Sequence, residues 1–199
     1  MNYLFDLLAA ALYAALAQNL IFSGGYGVSE SIRMAAKPKK LWKISIAISV
    51  LSFLTAAACR TLDFIPFISS RGMLLHAFLF VVVLVFIYCA CCLATKLIPS
   101  PEKRRAAVKI LGIAAFNSLV LAVPLINRKL NYNFFEAIGF AVGAGAAFAI
   151  SVLLINAGMR RLEGNEDIPE AFRGLPAIFI YVALLSLAFT GIVGRAVSL

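Results

Sequence analysis

Long apolar runs recur along this chain, and they limit its possible folds more than any other feature. A helix needs about 20 apolar residues to cross a bilayer. Hydropathy marks six segments near that length, at about 3–22, 44–59, 73–95, 110–126, 134–157 and 175–193. Only 14% of the residues are charged, whereas a soluble domain usually has about 25%. The sequence therefore predicts an all-α, polytopic membrane protein with six transmembrane helices.

The first apolar segment is predicted to stay in the protein as a membrane span. Ala15, Leu16 and Ala17 resemble the small-residue cleavage site of a signal peptide. Signal peptides normally begin with a basic region, and residues 1–12 contain neither Lys nor Arg. A retained span is therefore the favoured interpretation.

Positive charge is distributed unevenly between the connections. Thirteen of the 18 Lys and Arg residues lie in the first, third and fifth connections: Arg33, Lys37, Lys39, Lys40, Lys43, Lys96, Lys103, Arg104, Arg105, Lys109, Arg160, Arg161 and Arg173. Basic loops stay on the cytoplasmic side of a membrane, so both termini are predicted to face outward. We attribute the net charge of +9 to this orientation and not to nucleic acid, because the basic residues lack the stacking aromatics of a strand-binding groove.

The six spans divide into three plus three around the basic segment 96–109. We predict one membrane domain over residues 1–199, with halves at about 1–97 and 108–199. An odd number of spans in each half gives the halves opposite orientations, as in inverted-repeat membrane proteins. The sequence thus predicts two inverted three-helix repeats joined by a basic linker.

Helix-breaking residues interrupt corresponding spans of the two halves. Span one runs into Ser23-Gly24-Gly25-Tyr26-Gly27, and span four contains Asn117-Ser118 and Pro124. Within hydrocarbon, irregular backbone survives only when it is buried in protein or lines a cavity. We predict broken helices at 19–27 and 115–124. The cavity-lining candidates are Asn19, Gly24, Gly25, Gly27, Asn117 and Pro124. The simpler alternative is a proline kink plus a glycine-rich exit from the bilayer.

Several other residues could carry chemistry but have simpler interpretations. The cysteines Cys89, Cys91 and Cys92 are interpreted as soft packing residues near the end of span three, as no paired Cys or His motif accompanies them. His76 is interpreted as a packed or interfacial residue. For Glu136 two interpretations remain open, a place on a cation pathway or a favourable charge at a helix N-terminus.

Glycine spacing in the fifth span predicts close helix packing. Gly139 and Gly143 form a GxxxG pair within a surface rich in glycine and alanine, and small residues at this spacing let two helix backbones approach closely. This feature predicts packing and says nothing about catalysis.

A set of short motifs resembles the RnfA/NqrE family, the membrane subunits of Rnf and Na⁺-translocating NADH:quinone oxidoreductase complexes. The similarity is dense from about 110 to 194 and thin from 44 to 100. The motifs are Met159-Arg160-Arg161-Leu162, Ile168-Pro169-Glu170-Ala171-Phe172-Arg173-Gly174, Leu185-Ser186-Leu187-Ala188-Phe189, Gly191, Gly194, Leu111-Gly112-Ile113, Asn117, Val120-Leu121, Asn127, Phe135-Glu136-Ala137-Ile138 and Gly27-Val28-Ser29.

The resemblance implies a location and a set of partners. It implies a multi-pass protein of the bacterial or archaeal cell (inner) membrane. It further implies pairing with a homologous six-helix subunit of opposite orientation, and contact with other Rnf/Nqr-like subunits.

The resemblance also implies an intramembrane [2Fe-2S] cluster, shared by the two homologous subunits. Each subunit contributes one cysteine from each of its two broken helices. In this sequence the matching positions are Ser23 and Ser118, so both expected ligands are serine. A serine hydroxyl is a hard, protonated oxygen and a poor ligand for iron. Either the cluster site has been abandoned or the cysteines have been substituted, and we expect no cofactor.

The leading functional prediction is an RnfA/NqrE-like membrane subunit of an ion-translocating electron-transport complex. With serine at both ligand positions it would be a paralogue without the cluster, and at most a non-catalytic subunit. The alternative is a small cation or solute transporter, or a structural membrane partner, that uses the cavity at the broken helices. Oxygen ligands there would favour hard cations such as Na⁺ over iron.

Overall fold

The computed structural model describes residues 2–193, and Gly194 and Arg195 lie outside that range. Within it the chain is helical, with no strand. The α-helices are α1 Tyr3–Leu12, α2 Leu20–Gly24, α3 Val28–Ala36, α4 Leu41–Leu62, α5 Pro66–Ser69, α6 Met73–Ala94, α7 Pro101–Ala115, α8 Ser118–Lys129, α9 Phe134–Glu163 and α10 Leu175–Val193. A π-helical turn, Tyr13–Ala17, extends α1, and 3₁₀ turns lie at Pro38–Lys40, Thr95–Leu97 and Glu170–Phe172.

Three helical stretches in the described residues are long and apolar enough to cross a bilayer. They are Pro38–Leu62, Met73–Leu97 and Phe134–Glu163, and α7 with α8 makes a fourth if that bent pair is one span. Two shorter apolar stretches, Tyr3–Ala17 and Leu175–Gly191, occupy the first and last predicted segments. Residues 2–193 are therefore all-helical with three to four apolar spans, which is consistent with a multi-pass membrane protein.

The first apolar segment is broken before residue 19. After the π-helical turn, Gln18 leaves helical geometry and Asn19 begins α2 as its N-cap. α2 ends after five residues, and Gly25 and Gly27 then take left-handed conformations, with φ of 71° and 78°. Glycine adopts such angles without the steric cost that a Cβ imposes. The chain therefore leaves α2 and enters α3 through one tight turn.

The second break lies at Phe116 and Asn117, where α7 and α8 meet at a bend of 47°. Two boundaries differ from the prediction. Residues 101–109 of the basic segment form the first turns of α7, starting at a proline in the first helical position, where its missing N–H costs nothing. Pro124 does not end the break either, because it is buried inside α8 and the helix continues through it.

Helix α9 lies at the centre of the protein, and α6 lies at its edge. In the most apolar stretch of each helix, 67% of α9 is buried inside the protein, compared with only 11% of α6. α9 packs against α1, α3, α4, α8 and α10. α6 is apolar on all sides, which is typical of a helix that faces lipid.

Close packing of α1 on α9 depends on the GxxxG pair. A Cβ at Gly139 would collide with the carbonyl oxygen of Leu7, and one at Gly143 with that of Ala11. The predicted close helix approach at these two glycines is confirmed, and its partner is α1.

A cluster of charges joins the ends of α4, α6 and α8. The Asp63 carboxylate accepts a hydrogen bond from Arg128 Nη1 at 2.8 Å and lies 3.5 Å from Arg60 Nη1. His76 is fully buried, with Nδ1 3.1 Å from the Gly72 carbonyl oxygen and Nε2 3.4 Å from Asp63 Oδ1. The prediction that His76 is a packed residue is confirmed.

Candidate functional site

The two helix breaks lie against each other, although they are about ninety residues apart in sequence. The Gly27 N–H, in the turn between α2 and α3, donates a hydrogen bond of 2.9 Å to Ser118 Oγ at the start of α8. A Cβ on Gly27 would lie 2.7 Å from Asn117 Oδ1. The left-handed turn therefore fits closely against the first residues of α8, with no room for a side chain at residue 27.

An asparagine begins the helix that follows each break. Asn19 Oδ1 accepts from the Ile21 N–H at 3.1 Å, and Asn117 Oδ1 accepts from the Leu119 N–H at 3.0 Å. A capping side chain of this kind satisfies one of the free N–H groups in the first turn. Both asparagines are buried, so each provides inside the protein a hydrogen bond that water cannot supply.

Asn19 also fixes the first break to α9. Its Nδ2 donates to the Ala147 carbonyl oxygen at 3.3 Å, and its Oδ1 accepts from Ser151 Oγ at 3.1 Å. With these bonds the amide side chain has partners for both its oxygen and its nitrogen. Asn19 is therefore a structural anchor within the core.

A pocket of about 230 Å³ opens between the two breaks. Four of the predicted site residues line it, namely Gly25, Gly27, Asn117 and Ser118, and the others come from α3 and from the end of α7. Asn19, Ser23, Gly24 and Pro124 are not among its lining residues. The site is thus built by the glycine turn and the start of α8, and the proline contributes to packing within α8.

The pocket contains polar atoms that lack partners. Asn117 is 4% exposed, and its Nδ2 has no hydrogen-bond partner. Glu30 pairs with Arg33 through Oε2, while its buried Oε1 has none. An unpaired buried donor or acceptor costs about 1–3 kcal/mol. The pocket is therefore suited to a polar group that supplies both an acceptor and a donor.

The residues at the two expected cluster positions do not fit an iron–sulfur cluster. Ser23 Oγ donates to the Asn19 carbonyl oxygen at 2.9 Å, and Ser118 Oγ accepts from Gly27 at the same distance. Such clusters are held by cysteine thiolates, and both oxygens here are used in local hydrogen bonds. Across residues 2–193, no three His, Cys, Asp or Glu side chains are grouped so that they could hold a metal ion.

The four cysteines lie on other elements. Cys59 is buried in α4, and Cys89, Cys91 and Cys92 lie near the end of α6 as free thiols. None of them belongs to either helix break.

Glu136 begins α9 as part of a capping box. Its Oε2 accepts from the Asn133 N–H at 2.7 Å, while Asn133 Oδ1 accepts from the Glu136 N–H at 2.9 Å. Nearby Tyr132 lies in the turn between α8 and α9. Burial, followed by the proximity of Tyr13 and Glu136, raises the pKa of Tyr132 to about 12. The capping box is the helix-N-terminal role for Glu136 that the sequence left open.

Sequence reasoning missed the charge cluster around Asp63. Its members come from three helix ends and share no spacing pattern. The one signal was that Asp63 is the only acidic residue in the second connection, between basic residues on both sides.

Alanine substitutions at Gly25 and Gly27 are expected to separate backbone strain from close packing. Both glycines have positive φ, but a Cβ at residue 25 would meet nothing within 4 Å. Gly25→Ala should cost about 1–2 kcal/mol for the left-handed conformation. Gly27→Ala should cost about 1 kcal/mol more, because the new methyl group displaces the Asn117 cap. The measurement is the thermal unfolding midpoint of each variant in mild detergent. Equal losses would show that the turn does not pack against α8.

The fold and the site together define a helical membrane protein whose two interrupted helices meet at a small polar pocket. Comparison with known proteins identifies relatives of this chain. No family model matches the chain. Curated relatives do match, and the chain spans about half the length of the first of them.

Three of these relatives are subunits of ion-translocating complexes. The A subunit of an ion-translocating oxidoreductase complex from Aromatoleum aromaticum is 40% identical over 95 residues, 48% of this chain and 49% of that protein. The A subunit of a proton-translocating ferredoxin:NAD(+) oxidoreductase complex from Clostridium ljungdahlii is 38% identical over 82 residues, 41% and 42% of the two chains. The A subunit of a Na(+)-translocating ferredoxin:NAD(+) oxidoreductase complex from Acetobacterium woodii is 35% identical over 95 residues, again 48% and 49%. The resemblance to the RnfA/NqrE family is thereby confirmed, and this chain is a relative of the A subunits.

Proposed function

We propose that this protein is an RnfA-like membrane subunit of an ion-translocating electron-transport complex, and that it lacks the intramembrane iron–sulfur cluster. The names of its relatives support the complex. The observation that carries the second part is the hydrogen bond between Gly27 and Ser118. The two breaks, beside which the cluster ligands would lie, are both formed and in contact, and the Ser118 hydroxyl accepts the hydrogen bond that joins them.

The proposal includes an architecture of two inverted three-helix repeats, with six membrane segments and outward-facing termini. The matched asparagine caps at Asn19 and Asn117 support it, since each begins the helix that follows the break in its own half. The basic segment 96–109 then links the halves on the cytoplasmic side of a bacterial or archaeal membrane. In this arrangement the chain acts as a non-catalytic subunit.

Pairing with a homologous subunit of opposite orientation is also part of the proposal. Phe116 is 85% exposed at the second break, and Gly25, Ser29 and Ser118 are exposed beside it. Aromatic residues are enriched at the cores of protein interfaces and polar groups at their rims, so Phe116 would lie at the core of this interface and the serines at its rim. The partner would cover the pocket and supply groups for Asn117 Nδ2 and Glu30 Oε1.

Restoring the cysteines tests the loss of the cluster. We expect Ser23→Cys/Ser118→Cys, co-expressed with a homologous subunit in anaerobic culture, to bind iron and acid-labile sulfide, and the native serine protein to bind neither. Thiolates supply the soft anionic ligands that the hydroxyls lack. Ser70→Cys/Ser100→Cys is the matched control, because it adds two thiols in connections that contain neither break. The measurements are iron and sulfide content and the visible absorbance spectrum.

Each outcome of this experiment has a distinct meaning. Stoichiometric iron in the serine protein would contradict the loss of the cluster and assign electron transfer to the chain itself. Iron in the control variant as well would show adventitious binding to thiols. If no version binds iron and no homologous subunit co-purifies, the complex-subunit proposal fails, and Na⁺ or solute uptake into liposomes becomes the test of the transporter alternative.

A further inference from the structure

A second and larger pocket lies between the end of α6 and the first turns of α7, and it shares no lining residue with the pocket at the helix breaks. We call it the basic groove. Its volume is about 580 Å³, and four cations line it, Lys96, Arg104, Arg105 and Lys109, together with Cys92 and Val108. Nothing in the proposed function uses it.

Helix periodicity explains how so many basic side chains share one groove. Arg104 and Val108 are four residues apart, as are Arg105 and Lys109, and this spacing places the four residues on one side of α7. Cys92 and Lys96 are also four residues apart at the end of α6. The groove is therefore the seam between two helix faces.

The cations of the groove lack anionic partners. No ion pair in residues 2–193 includes any of the four. Glu102, the acidic residue of this segment, does not line the groove. Arg105 and Lys109 are like charges at i and i+4, a spacing at which like charges destabilise a helix. A bound anion would relieve this repulsion.

The surroundings of the groove indicate what kind of anion fits. Val108 and Cys92 give it apolar walls, and Leu93 and Leu97 beside it are 59% and 85% exposed. The groove also opens at the end of α6, the least buried of the three long apolar spans. A ligand with a phosphate and acyl chains would place its charge among the cations and its chains along α6. Basic pockets between helices at the cytoplasmic membrane face are known to bind anionic lipid headgroups.

We infer that the basic groove is a binding site for an anionic phospholipid, with the headgroup phosphate held by Arg104, Arg105, Lys96 and Lys109. The occupant is a lipid and not an acidic protein, because the four exposed cations lie beside the apolar, lipid-facing surface of α6. The site requires that the chain lies in a bilayer. It rests on the orientation in the proposed function, which puts the basic segment on the cytoplasmic side, and it is independent of the cluster.

The test measures lipid binding to the purified protein in uncharged detergent. Phosphatidylglycerol, phosphatidylcholine or inorganic phosphate is added, and the unfolding midpoint is followed, with bound lipid counted by native mass spectrometry. Phosphatidylglycerol should raise the midpoint and remain bound, and the other two additives should not. Arg104→Gln/Arg105→Gln should weaken phosphatidylglycerol binding about 30-fold, since each basic residue near a membrane surface contributes about 1 kcal/mol.

Arg160→Gln/Arg161→Gln is the matched control, because it removes the same charge from an exposed pair at the end of α9 that does not line the groove. This control should bind phosphatidylglycerol as the native protein does. If the groove variant does not fold, Arg104→Lys/Arg105→Lys keeps the charge, and competition between the two lipids on the native protein gives a second readout.

Three results would overturn the inference. Equal loss of binding in both glutamine variants would show that net charge alone attracts the lipid. The same stabilisation by inorganic phosphate would make a free anion the ligand. If lipid has no effect, and an acidic soluble protein co-purifies with the native protein but not with the groove variant, the groove is a protein-docking site.

Discussion

Replacing Gly143 by alanine is expected to push α1 away from α9 and to leave little monodisperse protein in detergent. The added Cβ would collide with the Ala11 carbonyl oxygen and lie 2.9 Å from Ala14 Cβ. Overpacking that side chains can absorb costs about 1–3 kcal/mol. Here the obstacle is backbone, which no rotamer change can move, so we expect at least the upper end of that range. α1 would have to shift as a whole.

The matched control is Gly112→Ala in α7. A Cβ there would meet only the Tyr88 hydroxyl at 3.7 Å, an ordinary contact, and alanine has a higher helix propensity than glycine by about 1 kcal/mol. Gly112→Ala should therefore be neutral or stabilising. The measurement is the fraction of monodisperse protein after heating, by size-exclusion chromatography. Equal behaviour of the two variants would contradict the close packing of α1 on α9.

The GxxxG pair shows which part of the fold is predictable from sequence. The helical membrane class, the approximate position of each apolar segment and the close approach at Gly139 and Gly143 depend on local composition and spacing. Both breaks were also predicted, because glycine and asparagine have local backbone preferences. The predicted end of the second break at Pro124 was wrong, because α8 continues through that residue. A proline signals lost hydrogen bonding, but neighbouring groups within a membrane protein can compensate for it inside a helix.

The parts that the sequence did not predict depend on contacts between distant segments. Nothing local indicates that the Gly27 N–H donates to Ser118 Oγ or that Asn19 bonds to α9. Helix α7 also starts at Pro101 and not, as predicted, at about residue 110. The prediction was late because the first turns of this helix are highly charged and have low hydropathy. Amphipathic ends of membrane helices are easily assigned to loops for this reason.

Both serines take part in the hydrogen bonding around the helix breaks. Ser23 bonds to the backbone of its own helix, and Ser118 bonds to the backbone of the opposite break. A thiol is a weaker hydrogen-bond partner than a hydroxyl. If the cysteine variants bind iron, they should do so at some cost in stability without the partner subunit, because the Gly27 to Ser118 bond is weakened.

Neutralising Asp63 is expected to cost about 2–3 kcal/mol and to loosen the connection between α4 and α6. Removing one member of a buried ion pair usually costs about 3–5 kcal/mol. We expect less here, because Arg60 and Arg128 keep 26% and 21% of their side-chain surface exposed and can regain water. Asp63→Asn keeps the side-chain shape and removes the charge that holds both arginines and faces His76.

Two readouts distinguish this effect from general destabilisation. Arg128 also donates to the Ser69 carbonyl oxygen at 2.9 Å, so its release should expose the connection to trypsin at Arg71 before the protein unfolds. Asp167→Asn is the matched control, as Asp167 is exposed and forms no ion pair in the described residues.

The double variant Asp63→Asn/Arg128→Gln should lose less stability than the sum of its single variants, because removing the second charge relieves the unpaired arginine. Additive losses, or equal trypsin sensitivity in the Asp167 control, would show that the Asp63 cluster does not hold these three helix ends together.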